Sequence, residues 1–226
     1  MNTPSPPPHK QPDVIAATLR GFGVVGILFI LAVLAAGAWF GAALVLLWAW
    51  RAAVPARDLG LACPRSWWKT ILFGVLAGVF CKLLMKIIVM PLLGAPPVND
   101  DFHRLIWNTA ALPGTIFAVV VSAGFGEELV WRGFLFERSA RKFGHGIGAT
   151  IATVIVTAVL FGAAHYQYQG WTGVQQAAIM GVVYGSLYAK TRNLWLVVVL
   201  HAVFDIAAVL MIYLGVEIGL ARLVFK

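Results

Sequence analysis

Charge is scarce in this chain. Only 12% of its 226 residues are Asp, Glu, Lys or Arg, against roughly a quarter in soluble domains. Too few charges remain to cover a water-exposed surface, which excludes a soluble globular domain. Cysteine is almost missing as well. Cys63 and Cys81 are the only two, and Cys81 lies inside an apolar run, so a disulfide scaffold is excluded and both thiols are expected to be unpaired. Short alternating polar–apolar segments are also lacking, which argues against a membrane β-barrel. What is there instead is apolar mass: 61% hydrophobic residues and a mean hydropathy of +0.86. That excludes disorder and predicts an all-α, polytopic transmembrane helix bundle. The length accommodates about six spans of roughly 20 residues each, with seven or eight helices once surface helices are counted.

The net charge is +8. The basic residues sit mostly in short loops between apolar runs, which is how the positive-inside rule anchors spans. No basic cluster is interleaved with aromatics, so nucleic acid is not an expected partner; the lipid bilayer is. Residues 1–14, with five prolines and little apolar mass, read as a disordered tail. Residues 15–111 form N-terminal membrane helices and loops, 112–214 a membrane core, and 215–226 a C-terminal tail. The first apolar block, Gly21 to Trp50, would be about 45 Å long as one helix, enough for one tilted crossing and too little for two. Further spans are predicted at about 70–93, 112–137, 147–166, 173–190 and 194–214. Placing the basic loops 51–69, 138–146 and 190–193 in the cytoplasm leaves 95–111 and 167–172 outside, and six crossings then put both termini outside. Trp67 and Trp68, and Tyr166, Tyr168 and Trp171, read as interface anchors. Gly173, Gly181 and Gly185 read as a close-packing face.

Against this apolar background a few polar groups stand at membrane depth, where each charge costs at least ~2.5–3.5 kcal/mol and marks a functional site by default. Glu127, Glu128, Arg132, His165, His201 and Asp205 are the set. Glu128 and Arg132 are four apart and share one helix face as a structural pair, with Glu127 turned elsewhere. His165 follows Phe161 by four, and Asp205 follows His201 by four. Three helices thus each present a polar stripe that a bundle can gather into one pocket. A buried carboxylate beside a histidine can hold and deprotonate water, and a second histidine can stabilise an oxyanion, a set that would hydrolyse an amide. The same Glu127, His165 and His201 would alternatively make a three-ligand zinc site with an open position, although no HExxH is present. Lys82 and Lys86, also four apart, would snorkel, line a wet cavity or meet an acidic substrate.

The run Glu127-Glu128-Leu129-Val130-Trp131-Arg132, then Phe161-Gly162-Ala163-Ala164-His165, then His201-Ala202-Val203-Phe204-Asp205 resembles the signature of the CAAX-protease and bacteriocin-processing intramembrane proteases. This family includes the type II prenyl endopeptidases. The resemblance covers about 112–210. It implies an intramembrane endopeptidase in which Glu127 is general base, His165 orients the water, and His201 with Asp205 stabilises the oxyanion, while Glu128 and Arg132 shape the site. Many relatives carry Asn at position 205, and an ionised Asp cannot donate a hydrogen bond there. The ligand set lacks a tight motif, so a metal-free glutamate mechanism is favoured, with a divalent metal such as zinc as the alternative cofactor. The implied partner is a membrane-proximal or lipid-modified peptide or protein, and the expected location is a bacterial inner membrane. Two readings of other classes compete: a small proton-coupled transporter, since buried Glu, His and Asp also build proton relays, and a non-catalytic scaffold or immunity protein. No internal repeat supports the carrier.

Overall fold

The computed structural model describes residues 13–225, which fold without strands into nine helices. These are α1 (Val14–Arg20), α2 (Val24–Ala35), α3 (Gly37–Arg51), α4 (Trp67–Leu92), α5 (Leu112–Phe143), α6 (Ile147–Ala164), α7 (Tyr166–Thr191), α8 (Leu194–Tyr213) and α9 (Glu217–Ala221). The all-α bundle is as expected, with one helix more than the upper expectation. Most of the predicted tail, residues 1–12, lies outside the described residues. Its last two residues are ordered: Asp13 caps α1 by accepting from the Ala16 N–H, and Val14 begins the helix.

The span count matches only roughly. Four helices, α4, α5, α6 and α8, are long and apolar enough to cross a membrane, and α1 with α2 would make a fifth if taken as one span bent by 59°. The first apolar block does not form one tilted helix. Gly37, at φ +72, breaks it in a conformation that only glycine adopts freely. The chain then folds back, so that a Cβ on Gly41 would lie 2.9 Å from the Val33 carbonyl. Both ends of this hairpin meet. The Arg20 guanidinium donates to the Ala52 and Ala53 carbonyls, and the Trp48 indole donates to Leu19 at 3.0 Å. At about 1.5 Å per residue neither arm reaches across a hydrocarbon core of about 30 Å. The block is therefore a hairpin and not one tilted helix, and Asp13 ends up beside Arg51, which it accepts from at 2.7 Å. The expectation that both termini share one side is corrected accordingly: residue 13 lies at the end carrying 52–66, and 214–225 lie at the opposite end. The hairpin docks on α5 through Trp48 and Phe134, an edge-to-face pair 5.0 Å apart.

Close packing by glycine builds the rest. Gly74 and Gly78 on α4 press against α8; a Cβ on Gly78 would meet the Leu200 carbonyl at 2.7 Å. Such small-residue stripes let backbones approach where lipid supplies no hydrophobic drive. Gly124 on α5 meets Ala202, and Gly181 on α7 meets Ala158 on α6, as its sequence position suggests. Gly185 likewise packs near Val154, whereas Gly173 faces its own Gln169 side chain and not another helix. Outward faces carry apolar side chains such as Phe40, Phe73, Phe80, Ile147 and Val159, the surface a bilayer requires. α7 is too polar to meet the spanning criterion, yet it returns along α6 over 26 residues, kinked at Gly170. Both cysteines are free.

Candidate active site

α5 is not a regular α-helix where the motif lies. Residues Val119–Glu127 and Leu129–Phe134 are wound as π-helix. Such wide turns are frequent at functional sites. Here Gly124 and Gly126 permit backbone approach on both sides: a Cβ would sit 2.9 Å from Ala202 on one and 2.9 Å from the Ala38 carbonyl on the other. The two neighbouring glutamates leave this segment in different directions, and they meet different fates.

Glu128 is fully buried and locked. Its Oε1 accepts from Arg132 Nη1 at 2.6 Å and from His201 Nδ1 at 2.7 Å. A carboxylate paired with a guanidinium can only accept, so His201 carries its proton on Nδ1 and its ring is fixed. Arg132, equally buried, stacks over the rings of Phe161 at 4.6 Å and Tyr184 at 5.2 Å and reaches the Gly181 carbonyl at 3.4 Å. The pair expected from the four-residue spacing is therefore present, and it does more than expected, because it also positions a histidine on α8.

Glu127 is the opposite case. Its Oε2 is sealed from solvent and has no hydrogen-bond partner. It lines a cavity of about 300 Å³ together with His165, His201, Asp205 and Tyr184. A buried acceptor left open is costly unless something fills the site, and a water or a substrate N–H would fill it. His165 stands at the α6–α7 corner and donates from Nδ1 to the Phe161 carbonyl at 2.8 Å. Since a carbonyl only accepts, Nε2 is the acceptor in the neutral ring. Asp205 lies 3.5 Å from His201 Nε2, beyond good hydrogen-bond length, with its side chain 26% exposed to the cavity. All four expected catalytic residues thus border one chamber, and Glu128 and Arg132 stand behind its wall.

Among the described residues no group of three or more His, Cys, Asp or Glu side chains is arranged to hold a metal ion. Glu127, His165 and His201 all border the chamber.

Sequence reasoning passed over Tyr184. It is buried, its hydroxyl is unpartnered, and its ring lies 4.9 Å from that of His201 at the chamber wall. A tyrosine in an apolar helix gives no sequence signal of its own; its distance of 17 residues from the nearest motif hides it. Lys82 and Lys86 are found at cavities, as one of their expected readings had it. Lys86 is neutralised by Glu217 at 2.7 Å and by the Pro97 carbonyl at 2.8 Å.

Residues 108–207 match the family model of Rce1-like type II CAAX prenyl endopeptidases, and all three motifs fall inside the matched segment. Over that segment, somewhat under half of the chain, the sequence is similar to the protease family its motifs resemble, and four helices are long and apolar enough to cross a membrane. No curated protein and no solved structure matches the chain.

Proposed function

We propose that this protein is an intramembrane endopeptidase that hydrolyses a peptide bond in a lipid-modified or membrane-proximal protein by a metal-free, glutamate-activated water. The single observation that carries the reading is Glu127, a carboxylate with an unpartnered buried oxygen, lining a chamber shared with His165 and His201. A water placed there donates one hydrogen to Glu127 and the other to His165 Nε2, which turns its lone pair toward the substrate carbonyl. As the oxygen attacks the carbonyl carbon, Glu127 takes the proton. The tetrahedral oxyanion is met by His201 as an imidazolium, its Nδ1–H held by Glu128 and its Nε2–H free to donate into the chamber. Collapse breaks the C–N bond, and Glu127 returns its proton to the leaving amine, yielding a carboxylic acid and an amine, with Glu127 again a carboxylate. Preorganised donors of this kind lose no energy to reorganisation at the moment of reaction. A bacterial inner membrane is the location we infer.

The test is cleavage of quenched prenylated and unmodified membrane peptides by purified protein, wild type and Glu127→Gln, each with and without a chelator. The reading expects cleavage by wild type in both conditions, and a loss of about 10²–10⁴-fold in Glu127→Gln, the usual contribution of a general base. Loss of wild-type activity to the chelator, restored by zinc, would refute the metal-free chemistry. Full activity in Glu127→Gln would refute the site.

A further inference from the structure

A second, larger cavity of about 600 Å³ adjoins the catalytic chamber. The two share Lys82, Asn99, Gln169 and Gln176 in their walls, so these residues stand at the boundary between them. Lys82 is the exceptional member. It is 8% exposed, and its ammonium makes neither an ion pair nor a hydrogen bond among the described residues. The face of the Phe204 ring, 4.7 Å away, is in contact with the charge, and the Asp205 and Glu217 carboxylates act on it from beyond ion-pair distance. Its neighbour one turn on, Lys86, is by contrast paired with Glu217. A buried cation without a directly bonded counter-ion is expensive, and an element that keeps one beside a cavity gains when an anion comes into contact with it.

The anion must come with the substrate. A peptide backbone is neutral; its full negative charges are a C-terminal carboxylate and Asp or Glu side chains. We propose that Lys82 is a substrate anchor that binds a peptide carboxylate at the junction of the two cavities, holding the chain so that a bond a short way upstream lies over Glu127. This rests on the endopeptidase reading. With only about 300 Å³ in the catalytic chamber, the stretch between the scissile bond and the anchored carboxylate must be short.

The experiment measures binding apart from cleavage. Fluorescence anisotropy is read on Glu127→Gln protein in phosphatidylcholine nanodiscs with three dye-labelled farnesyl peptides: a free C-terminal acid carrying an internal Asp, its C-terminal amide, and the free acid with that Asp replaced by Asn. The expected result is that amidation weakens binding about 10- to 100-fold, the value of one charge-assisted hydrogen bond. In a Lys82→Met background that difference should fall below about threefold, and Lys82→Arg should restore it. If the loss instead follows Asp→Asn, the anchor stands and reads a side-chain carboxylate. Equal binding of all three peptides, failure of all three to bind, or discrimination unchanged in well-folded Lys82→Met protein would overturn the proposal. Parallel cleavage assays on protein with Glu127 intact separate the two claims. Cleavage without carboxylate discrimination refutes the anchor alone, and discrimination without cleavage refutes the protease reading alone.

Discussion

Single side chains divide the labour of this site. His165 is aimed by one hydrogen bond to Phe161, and His201 by one to Glu128, so each imidazole presents its other nitrogen side to the chamber. Tyr184 brings a buried hydroxyl with no partner to the same wall. If that hydroxyl meets the oxyanion, Tyr184→Phe should lower kcat by about tenfold or more with little change in KM, since a donor used only in the transition state acts on kcat. Steady-state kinetics on the folded variant check this. Asp205 makes no short hydrogen bond, so Asp205→Asn is expected to keep activity within a few-fold, measured in the same assay. The spacing of Glu128 and Arg132 announced their pairing, which the structure holds at 2.6 Å. The bond from Glu128 to His201 spans 73 residues, and no periodicity within one helix can announce a contact between two.

At the scale of elements, glycines decide where helices meet. Gly78 has no room for a side chain, because a Cβ would lie 2.7 Å from the Leu200 carbonyl, one residue before His201. Gly78→Ala must push α4 from α8. A destabilisation of about 1–3 kcal/mol is expected, the usual cost of overpacking, together with loss of cleavage as His201 shifts. Thermal unfolding and kinetics on one preparation would show both. The apolar blocks of α4, α5, α6 and α8 were readable in sequence because each of these helices carries its own apolar run, whereas α7 is too polar to count as the span expected at 173–190. The hairpin of α2 and α3 was not, since its turn depends on the positive φ of Gly37 within a run that is apolar throughout. The π-wound stretches of α5 were hidden for a similar reason: their hydrogen-bond pattern answers to packing on both flanks, not to local composition.

For the whole molecule, the hairpin fixes which segments share a membrane face. Cysteines placed at Thr18 should label from the same side as native Cys63, and a cysteine at Asn99 from the opposite side, in a Cys81→Ser background with a membrane-impermeant maleimide. Labelling of Thr18→Cys and Cys63 from opposite sides would show that the first block crosses. The clamp at the hairpin's base should resist acid. Hydrogen bonds from Arg51 and the Ala16 N–H hold the exposed Asp13 carboxyl down at about 2. A lowered value means the contact is intact above pH 3.8 and is lost only as pH falls through about 2. The Thr18→Cys labelling rate should accordingly be the same at pH 7 and pH 5, once corrected for thiolate content. The central claim is that two adjacent carboxylates serve one chamber in separate capacities, Glu127 at the reacting water and Glu128 as the brace of His201. Measuring kcat and melting temperature side by side for Glu127→Gln and Glu128→Gln tests it most directly. The account predicts that Glu127→Gln loses turnover while melting like wild type, and that Glu128→Gln loses turnover and melts lower because Arg132 is left buried without its counter-charge. An active Glu127→Gln enzyme, or a Glu128→Gln enzyme as stable and active as wild type, would contradict it.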